Sequence, residues 1–314
     1  MPRGEKSSPS PVAGVCHAPA RAGVQASALI LANPVSGGYR ADVLERLSGS
    51  LRENGYDVDT RLTRKAGEIT EFCSADAPTD SLLVVAGGDG SVNEVFAGFQ
   101  SRETTAPVVA IVPFGTANVL AHELGLPRTP EAIADMILRN KTKNLYTGLA
   151  NGKLFVLMVS AGFDAGVVHG VSHALKRRVG KMAYVIAAFR AAFRSRWGVL
   201  EVDDGHAVHR CRIAVVTNAS HYGGPFVLCP DASATEPGLH VVMFESDDPV
   251  SLLTIGARLL TGGVCNLENA RVIRVDRAKI TCSGPAPVQV DGDPFGSTPL
   301  SIECGPCSFS VLVP

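Results

Sequence analysis

Two different periods of apolar residues alternate along the first half of the chain. Residues 28–32 form a short apolar run, which predicts a buried strand, and a helical period follows at Val43, Leu44, Leu47 and Leu51. Residues 56–62 then alternate apolar with polar side chains, which predicts a half-buried strand, and residues 66–76 have a helical pattern. The succession of strand, helix and strand predicts a βαβ unit.

The same succession recurs at two later positions, where each strand runs directly into a glycine-containing loop. The apolar run 82–86 precedes Gly87-Gly88-Asp89-Gly90, and the run 108–112 precedes the loop at residues 113–118. A helical face follows the first of these loops at Val92, Val95, Phe96 and Phe99. Strands that alternate with helices in this way predict a parallel sheet with crossover helices up to about residue 146.

Beyond residue 146 the pattern changes to short β-rich runs separated by Gly and Pro. These runs cover residues 154–159, 207–216, 239–244, 272–275, 279–282 and 287–290. Their spacing predicts an antiparallel sandwich, which helical patterns interrupt at 174–196 and 249–261. The sequence therefore predicts an α/β domain at residues 26–146 and a β-rich domain at 147–314, whose last strand or strands could return to the first domain.

Three glycine-bearing loops, at residues 33–38, 87–90 and 113–118, each follow an apolar strand of the predicted parallel sheet. The carboxyl ends of parallel strands share one edge of the sheet, where α/β proteins bind ligands. Glycine lets backbone N–H groups approach an anion closely, and the helix after each loop directs its positive end to the same place. One such loop would indicate only a tight turn, but three together predict a site for a phosphate-rich ligand such as a nucleotide.

Composition and charge narrow the range of functions. The 29 Lys and Arg residues against 30 Asp and Glu leave a net charge of −1, so no overall positive field attracts nucleic acid. The mean hydropathy of +0.17 prompts a search for a membrane span of about 20 apolar residues. No transmembrane segment is predicted, because prolines and Gly115 interrupt the longest charge-free stretch, at 104–121. Residues 1–25 lack the apolar centre of a secretory signal and are predicted to be a disordered tail.

The eight cysteines are scattered through the chain, which favours a reducing cytoplasm over a disulfide framework. Cys304 and Cys307 form a C-x-x-C, which is compatible with a redox pair, half of a zinc site or two buried strand cysteines. No second C-x-x-C or histidine pair accompanies it, so the sequence favours buried strand cysteines.

A basic segment lies within the predicted helix at 174–196. Between Asp164 and Glu201 there is no acidic residue, whereas seven cations occur at Lys176, Arg177, Arg178, Lys181, Arg190, Arg194 and Arg196. Apolar and aromatic residues are interleaved with these cations. The pattern is typical both of a helix that docks on an anionic bilayer and of a core-packed helix with a solvated basic face, and the sequence leaves the two open.

The glycine loops also carry a family resemblance. Asn33-Pro34-Val35-Ser36-Gly37-Gly38, residues 87–94 (GGDGSVNE) and residues 113–118 (PFGTAN) resemble the three nucleotide-site motifs of the diacylglycerol kinase catalytic-domain family, which includes bacterial lipid kinases and the sphingosine and ceramide kinases. Further landmarks follow in the expected order at residues 160–165, Gly223-Gly224, Pro230-Asp231-Ala232 and Asp291-Gly292-Asp293. The resemblance covers nearly everything after the tail. It implies a Rossmann-like domain, then a β-sandwich that receives the lipid, with a nucleotide cleft between them.

The resemblance implies a kinase that uses ATP and Mg²⁺ and transfers the γ-phosphoryl group to a hydroxyl of diacylglycerol or a similar lipid alcohol. The residues that it implies for nucleotide binding are Asn33, Ser36, Gly37, Gly38, Thr63, Gly87, Gly88, Gly90, Ser91, Asn93, Glu94, Gly115, Thr116 and Asn118. Asp89 is the implied partner of Mg²⁺ or of the acceptor hydroxyl. Asp231 lies where bacterial relatives hold a structural Mg²⁺, with Glu236 as a substitute, although Pro237-Gly238 replaces their nearby Asp-Gly.

A lipid hydroxyl needs a carboxylate that takes its proton. The resemblance gives this role to Asp291 or Asp293, and the choice between them stays open. The family more often has Glu at the position of Asp293, and the shorter Asp side chain extends less far from the backbone. Val119 stands where many relatives carry an acid, which puts a metal-linked network through that position in doubt. Without the family, residues 291–294 are equally well interpreted as a hairpin turn.

Two other functions compete with a lipid kinase. NAD kinases share the G-G-D-G loop and a two-domain plan, so a soluble acceptor is one alternative, although Asn93-Glu94 and residues 115–118 favour the lipid branch. The other is a nucleotide- or lipid-binding protein without catalysis, against which four retained acids count: Asp89, Glu94, Asp291 and Asp293. The leading prediction is a cytoplasmic enzyme that contacts an anionic membrane surface reversibly, with homodimerisation left open.

Overall fold

The structure is a computed structural model that describes residues 26–102, 105–170 and 197–314. The predicted tail at 1–25 and the predicted helix at 174–196, with its basic segment, lie outside the described residues. The first four strands are β1 (Ala26–Ala32), β2 (Tyr56–Leu62), β3 (Leu82–Gly87) and β4 (Val109–Pro113). They pair in parallel, as the sequence predicts, and lie in the order β2-β1-β3-β4.

Helices connect these strands and cover the sheet. They are α1 (Ala41–Glu53), α2 (Glu68–Ala75), α3 (Asp89–Gln100), α4 (Val119–Glu123) and α5 (Pro130–Arg139). α1 buries Leu44, Leu47 and Leu51, the apolar positions that predicted it. The residues of β3 and β4 are nearly all buried, as expected of central parallel strands with helices on both faces.

The first sheet continues beyond β4 with strands from the second half of the chain. β18 (Leu300–Leu312) pairs in parallel with β4 through Val311 and Val109, and antiparallel with β5 (Thr142–Ala150). β15 (Arg277–Cys282), β8 (Leu200–Asp203) and β9 (Val208–Cys211) follow beyond β18, and β6 (Lys153–Phe155) pairs with β5. The predicted domain boundary between residues 146 and 147 falls within β5 and stays a prediction.

A second sheet, antiparallel throughout, packs against this extension. Its strands are β7 (Met158–Gly162), β10 (Ile213–Thr217), β13 (Leu239–Phe244), β14 (Ala270–Val275), β16 (Pro287–Val290) and β17 (Asp293–Ser297). They lie in the order β14-β13-β10-β7-β16-β17. Leu200 and Ile280 of the first sheet share one hydrophobic core with Val159 and Val216 of the second. The predicted architecture, a parallel α/β sheet followed by an antiparallel β-sandwich, is confirmed.

The other described elements are α6 (Phe163–Gly170), a hairpin of β11 (His221–Tyr222) and β12 (Phe226–Val227), α7 (Pro249–Thr261) and a 3₁₀ turn at Val264–Asn266. α7 matches the helix predicted at 249–261. The β-rich runs predicted at 154–159 and 207–216 are each divided between two strands, β6 and β7 in the first case and β9 and β10 in the second, of which the earlier strand lies in the first sheet and the later one in the second. None of the described helices is long and apolar enough to cross a membrane.

Candidate active site

The three glycine loops meet at the carboxyl edge of the parallel strands. The Gly38 N–H donates to the Phe114 carbonyl at 2.7 Å, and the Asn33 N–H donates to the Ala86 carbonyl at 2.9 Å. A Cβ atom on Gly37 would lie 2.8 Å from Thr116 Oγ1, and one on Gly88 would lie 3.0 Å from the Cα of Gly115. Side chains at Gly37 and Gly88 would therefore push the loops apart. The predicted convergence is confirmed.

Part of the backbone of the first loop is already hydrogen-bonded within the protein. The Val35 N–H donates to Asn33 Oδ1 at 3.1 Å, and the Ser36 N–H donates to the Asn33 carbonyl at 3.2 Å. These two N–H groups are therefore not available to a phosphate. The N–H groups of Gly37 and Thr116 donate to no described residue, which leaves them available to an anion.

Asn33 and Ser91 connect the first loop to the start of α3. Asn33 Nδ2 donates to the Ser91 hydroxyl at 3.3 Å, and Ser91 is buried behind Gly87. Gly90 lies exposed in the first turn of α3. Ser91 therefore supports the loops from behind, while Gly90 is accessible to a ligand.

Asp89 fastens the second glycine loop to α4. Its two carboxylate oxygens accept from the backbone N–H groups of Val119 and Leu120, each at 3.0 Å, at the N-terminus of α4. Burial raises the pKa of the Asp89 carboxyl, and the two backbone donors oppose this shift. Each oxygen keeps a second lone pair, so Asp89 can cap the helix and still contact a cation.

Asn118 has a left-handed backbone, with φ of 48°, and an unsatisfied acceptor. Its Nδ2 donates to the carbonyls of Pro113 at 3.2 Å and Gly115 at 2.8 Å, which closes the third loop. The Oδ1 atom is buried and has no hydrogen-bond partner among the described residues. A buried acceptor without a donor is uncommon in folded proteins.

Two predicted nucleotide contacts have partners in the surrounding framework. The Glu94 carboxylate accepts from the N–H groups of Gly67 at 2.9 Å and Ile69 at 3.2 Å, at the start of α2. Thr63 is buried, and its N–H donates to the Ala32 carbonyl at 2.9 Å. Glu94 therefore links α3 to α2, and Thr63 supports the strand that leads into the first loop.

Residues 290–293 form a two-residue hairpin turn between β16 and β17. Val290 pairs with Asp293, and the intervening Asp291 and Gly292 have φ of 48° and 86°. Positive φ at both central residues is the type I′ geometry that Asp-Gly favours. The hairpin interpretation is thus confirmed, and the functional interpretation depends on what surrounds the turn.

The Asp291 carboxylate is enclosed by donors. It accepts from the backbone N–H groups of Val156 at 2.7 Å, Leu157 at 2.9 Å and Met158 at 2.9 Å, in the link from β6 to β7. Asn93 Nδ2 adds a fourth bond at 2.7 Å. Burial raises the pKa of Asp291, while the four donors act in the opposite direction. All four lone-pair positions of the carboxylate are occupied.

The bond from Asn93 to Asp291 joins two motifs that lie 198 positions apart in the sequence. Asn93 lies on α3, one turn beyond Asp89, and Asp291 lies in the turn of the second sheet. Asp293, the first residue of β17, is exposed beside that turn. The glycine-loop edge of the first sheet and the D-G-D turn of the second therefore lie beside each other.

A second group of polar residues adjoins the turn. Ser160 and Asp164 belong to the family landmark at residues 160–165, whereas Tyr222 and Gln289 were not predicted. Asp164 accepts from the hydroxyls of Ser160 and Tyr222 and from Gln289 Nε2. The available signal for Gln289 is a glutamine between two valines in an otherwise apolar strand.

Glu123, at the end of α4, was also not predicted. Its Oε2 accepts from the Ser220 N–H at 3.0 Å, the Ser220 hydroxyl at 2.7 Å and His221 Nδ1 at 2.8 Å, and its Oε1 accepts from the Ala234 N–H at 3.2 Å. Only 6% of the side chain is exposed. Glu123 thus fixes α4, which Asp89 caps at its other end, to the β11 region.

The proposed structural metal site receives no geometric support. Asp231 is exposed. Burial lowers the pKa of the half-buried His240, and the nearby charges of Asp231 and Glu236 oppose this shift. Within the described ranges no three His, Cys, Asp or Glu side chains are grouped so as to hold a metal ion. Asp231 and Asp89 stay predictions as metal ligands.

Comparison with known proteins places the chain in a family. Residues 27–150 match the diacylglycerol kinase catalytic domain, and residues 157–313 match the YegS C-terminal NAD kinase beta sandwich-like domain. A Mycobacterium tuberculosis protein named diacylglycerol kinase is 30% identical over 299 residues, which cover 90% of this chain and 94% of that protein. The chain belongs to the diacylglycerol kinase catalytic-domain family. The sequence resemblance is therefore confirmed.

Two further family comparisons agree with the fold. A Bacillus subtilis protein named diacylglycerol kinase is 26% identical over 281 residues, covering 87% of this chain and 91% of that protein. The crystal structure of a Bacillus anthracis relative matches with a TM-score of 0.77 at 22% identity, covering 92% of this chain and 98% of that one. The family is one of phosphotransferases, so a kinase is the general activity that follows, without the identity of the acceptor.

Proposed function

We propose that this family member is an ATP-dependent lipid kinase that transfers the γ-phosphoryl group to a hydroxyl of diacylglycerol or a similar long-chain lipid alcohol. The observation that supports it most is the Asn93–Asp291 hydrogen bond. It brings the D-G-D turn of the β-sandwich beside the edge of the parallel sheet where the three glycine loops meet. Donor and acceptor sites of a phosphoryl transfer must be adjacent in this way.

The glycine loops would hold the nucleotide. The free N–H groups of Gly37 and Thr116 suit phosphate oxygens. Asn118 would act by closing the third loop through its bonds to the Pro113 and Gly115 carbonyls. Gly87, Gly88 and Gly115 let the loops approach closely, whereas Ser91, Glu94 and Thr63 support them. The nucleotide site is thus proposed to be a close-packed group of loops with few free polar groups.

Asp293 is the proposed general base. Phosphoryl transfer to an alcohol requires that the O–H proton leave as the phosphorus–oxygen bond forms. Asp291 has no lone pair left for this proton, whereas Asp293 is exposed at the end of the same turn. Asp291 would therefore hold the turn, and Asp293 would accept the proton.

Asp89 is the residue that would contact Mg²⁺. Proteins usually bind Mg²⁺ through one or two carboxylates together with substrate phosphates, so Asp89 fits an ion shared with ATP and does not need a cluster of protein ligands. Such an ion would neutralise charge on the phosphates during transfer. The backbone N–H groups of Val119 and Leu120 would hold the Asp89 carboxylate in place.

The enzyme is proposed to act in the cytoplasm and to meet its lipid by reversible contact with an anionic membrane surface. The sequence feature that supports this contact is the basic segment from Lys176 to Arg196, with seven cations and no acid.

The direct test is incubation of purified protein with labelled ATP, Mg²⁺ and a total membrane lipid extract, followed by mass spectrometry of labelled products. A phosphorylated lipid that Asp293→Asn no longer forms supports the proposal. Absence of product from every lipid class contradicts it.

A soluble acceptor is the second candidate, because the sandwich matches a domain described as NAD kinase beta sandwich-like. The same assay with NAD in place of lipid separates the two. Phosphorylation of NAD alone would favour this alternative. Nucleotide or lipid binding without turnover of either acceptor would favour a non-catalytic binding protein.

A further inference from the structure

Gln289 is a buried polar residue on β16 of the second sheet, between β7 and the edge strand β17. It lies between the buried Val288 and Val290 in the sequence of β16, with its side chain on the opposite face of the strand, and only 2% of the residue is exposed. Burying an amide without partners costs free energy, so buried amides in folded proteins are hydrogen-bonded. The partners of Gln289 therefore indicate why a polar residue occupies this core position.

Each polar atom of the Gln289 side chain has a partner. Oε1 accepts from the Gly292 N–H at 2.7 Å, and Nε2 donates to Ser160 Oγ at 3.0 Å and to Asp164 Oδ2 at 3.3 Å. The orientation of the amide follows from the chemistry, because a backbone N–H can only donate and a carboxylate can only accept. Gln289 thus connects Asp164 to the centre of the D-G-D turn.

Asp164 is itself fixed by two hydroxyl donors. Ser160 Oγ, on the neighbouring strand β7, donates to Oδ2, and the Tyr222 hydroxyl, from β11, donates to Oδ1. The Asp164 charge polarises the Gln289 amide and strengthens the bond to Gly292. The turn is therefore tied through Gln289 to α6, β7 and β11.

The turn is held from two directions by different parts of the protein. Asp291 is held by Asn93 and the N–H groups between β6 and β7, whereas the Gly292 N–H is held by Gln289. Asp293 follows directly. A turn fixed at both central residues leaves little freedom in the direction of the next residue.

We propose that Gln289 is a positioning residue, which fixes the D-G-D turn so that Asp293 is held at the acceptor hydroxyl. This inference rests on the proposed function, in which Asp293 is the general base. Gln289 would support Asp293 in addition to Asp291. Gln289 does not touch the substrate in this role. It acts through Gly292.

Gln289→Met keeps the length and apolar body of the side chain but removes both hydrogen-bonding groups. We expect kcat to fall about 10- to 100-fold, because misplacing a catalytic group by about 1 Å costs about 10²-fold. The KM for ATP should stay within about twofold, since Gln289 contacts none of the glycine loops. A fall in kcat without a rise in KM for ATP is the expected result.

Gln289→Glu supplies a pH-dependent version of the same contact. At high pH it places a carboxylate beside Asp164, and the two like charges repel each other. When one proton is shared by the pair, the new side chain can donate to Asp164 and still accept from Gly292. We expect its kcat, relative to wild type, to be higher at low pH than at high pH. A residue that merely fills space would not produce this profile.

Val241→Ala is the matched control for loss of stability. Val241 is fully buried in β13 of the same sheet, and its apolar side chain makes no hydrogen bond to the turn. This variant should lose thermal stability and keep the wild-type kcat. If it loses kcat as strongly as Gln289→Met, the effect is one of general stability and the proposal is wrong.

Hydrogen exchange separates this proposal from the proposed function. In Gln289→Met the Gly292 amide should exchange faster, whereas in Val241→Ala it should keep its protection. A wild-type enzyme without lipid turnover would contradict the proposed function, and exchange alone would then decide whether Gln289 holds the turn. A wild-type enzyme with turnover and an unchanged kcat in Gln289→Met would overturn the inference itself.

Discussion

Asp291 and Asp293 lie two residues apart and have opposite surroundings. Four donors enclose the Asp291 carboxylate, whereas Asp293 is exposed at the start of β17. The first arrangement is typical of a structural acid, which uses its charge to hold backbone N–H groups together. The second leaves a carboxylate that an incoming hydroxyl can reach.

Asp293→Asn should abolish most turnover without destabilising the fold. Loss of a general base lowers kcat by about 10²- to 10⁴-fold, and an exposed substitution changes the free energy of unfolding by less than about 0.5 kcal/mol. Steady-state kinetics and denaturant unfolding measure the two effects. Asp57→Asn, at an exposed acid on β2, is the control and should change neither. Full activity in Asp293→Asn would disprove its role as base.

Asp291→Asn should, in contrast to Asp293→Asn, destabilise the fold. The new amide presents N–H groups to a site that already contains four donors, so we expect a loss of about 1–3 kcal/mol in the free energy of unfolding. Chemical denaturation measures this loss. An unchanged midpoint would show that the four bonds contribute little.

Asp89 should make stability depend on pH. Its pKa is raised in the folded protein, so between the ordinary value of about 3.9 and the raised value the unfolded chain is ionised while the folded one still holds its proton. Stability from this group therefore falls as pH rises through that window. The free energy of unfolding of wild type, relative to that of Asp89→Asn, should therefore decrease as the pH is raised through this window. A difference independent of pH would contradict the raised pKa.

The residues that the sequence could predict are those with a local signal. Three glycine loops after three apolar strands indicated the sheet edge, and Asp-Gly indicated the turn. Gln289 and Glu123 were missed because their roles depend on partners from distant elements, such as Asp164 and Ser220. The engagement of Asp89 by α4 was missed for the same reason.

At the scale of elements, α4 is a short helix held at both ends by carboxylates. Asp89 accepts from its first N–H groups, and Glu123 at its other end accepts from Ser220, His221 and Ala234. α4 thus connects the second glycine loop to the β11 region. Helix propensity alone would not maintain a helix of this length.

Glu123→Gln tests this connection. The neutral amide loses the charge-assisted bonds and turns an N–H group towards existing donors, so we expect about 1–3 kcal/mol of destabilisation. Unfolding monitored by circular dichroism measures it. Glu131→Gln on α5 is the control, because Glu131 is 62% exposed and its ion pair with Arg46 should contribute less than about 1 kcal/mol. Equal losses in the two variants would disprove a special role for Glu123.

Element boundaries were predictable where the apolar period changed, and they were missed where it did not. In the run at 207–216, β9 belongs to the first sheet and β10 to the second, and only Arg212 lies between them. A single polar residue is also expected within one half-buried strand, so the change of sheet has no separate signal in the sequence. Helix α7 agrees with the helical segment predicted around 249–261, and its ends have local signals in the sequence, with Asp248 and Pro249 at the start and Gly262 at the end.

At the scale of the whole molecule, membrane contact should depend on ionic strength. Vesicles that contain about a third phosphatidylserine should bind the protein at low salt and release it as salt rises towards about 0.5 M, because surface attraction is screened. Co-sedimentation measures the bound fraction. Arg190→Glu with Arg194→Glu should weaken binding, whereas Arg139→Glu on α5 should not. Equal binding to uncharged phosphatidylcholine vesicles would contradict an electrostatic contact.

The position of β18 has a consequence for how the protein forms during translation. When β1 to β4 have left the ribosome, β4 is still an edge strand, because its neighbour β18 (Leu300–Leu312) follows much later in the chain. The growing chain must therefore carry an open strand edge until β18 has been synthesised, and such edges attract other strands. Protection of nascent chains by a chaperone would matter more here than for a protein whose sheet is completed in sequence order.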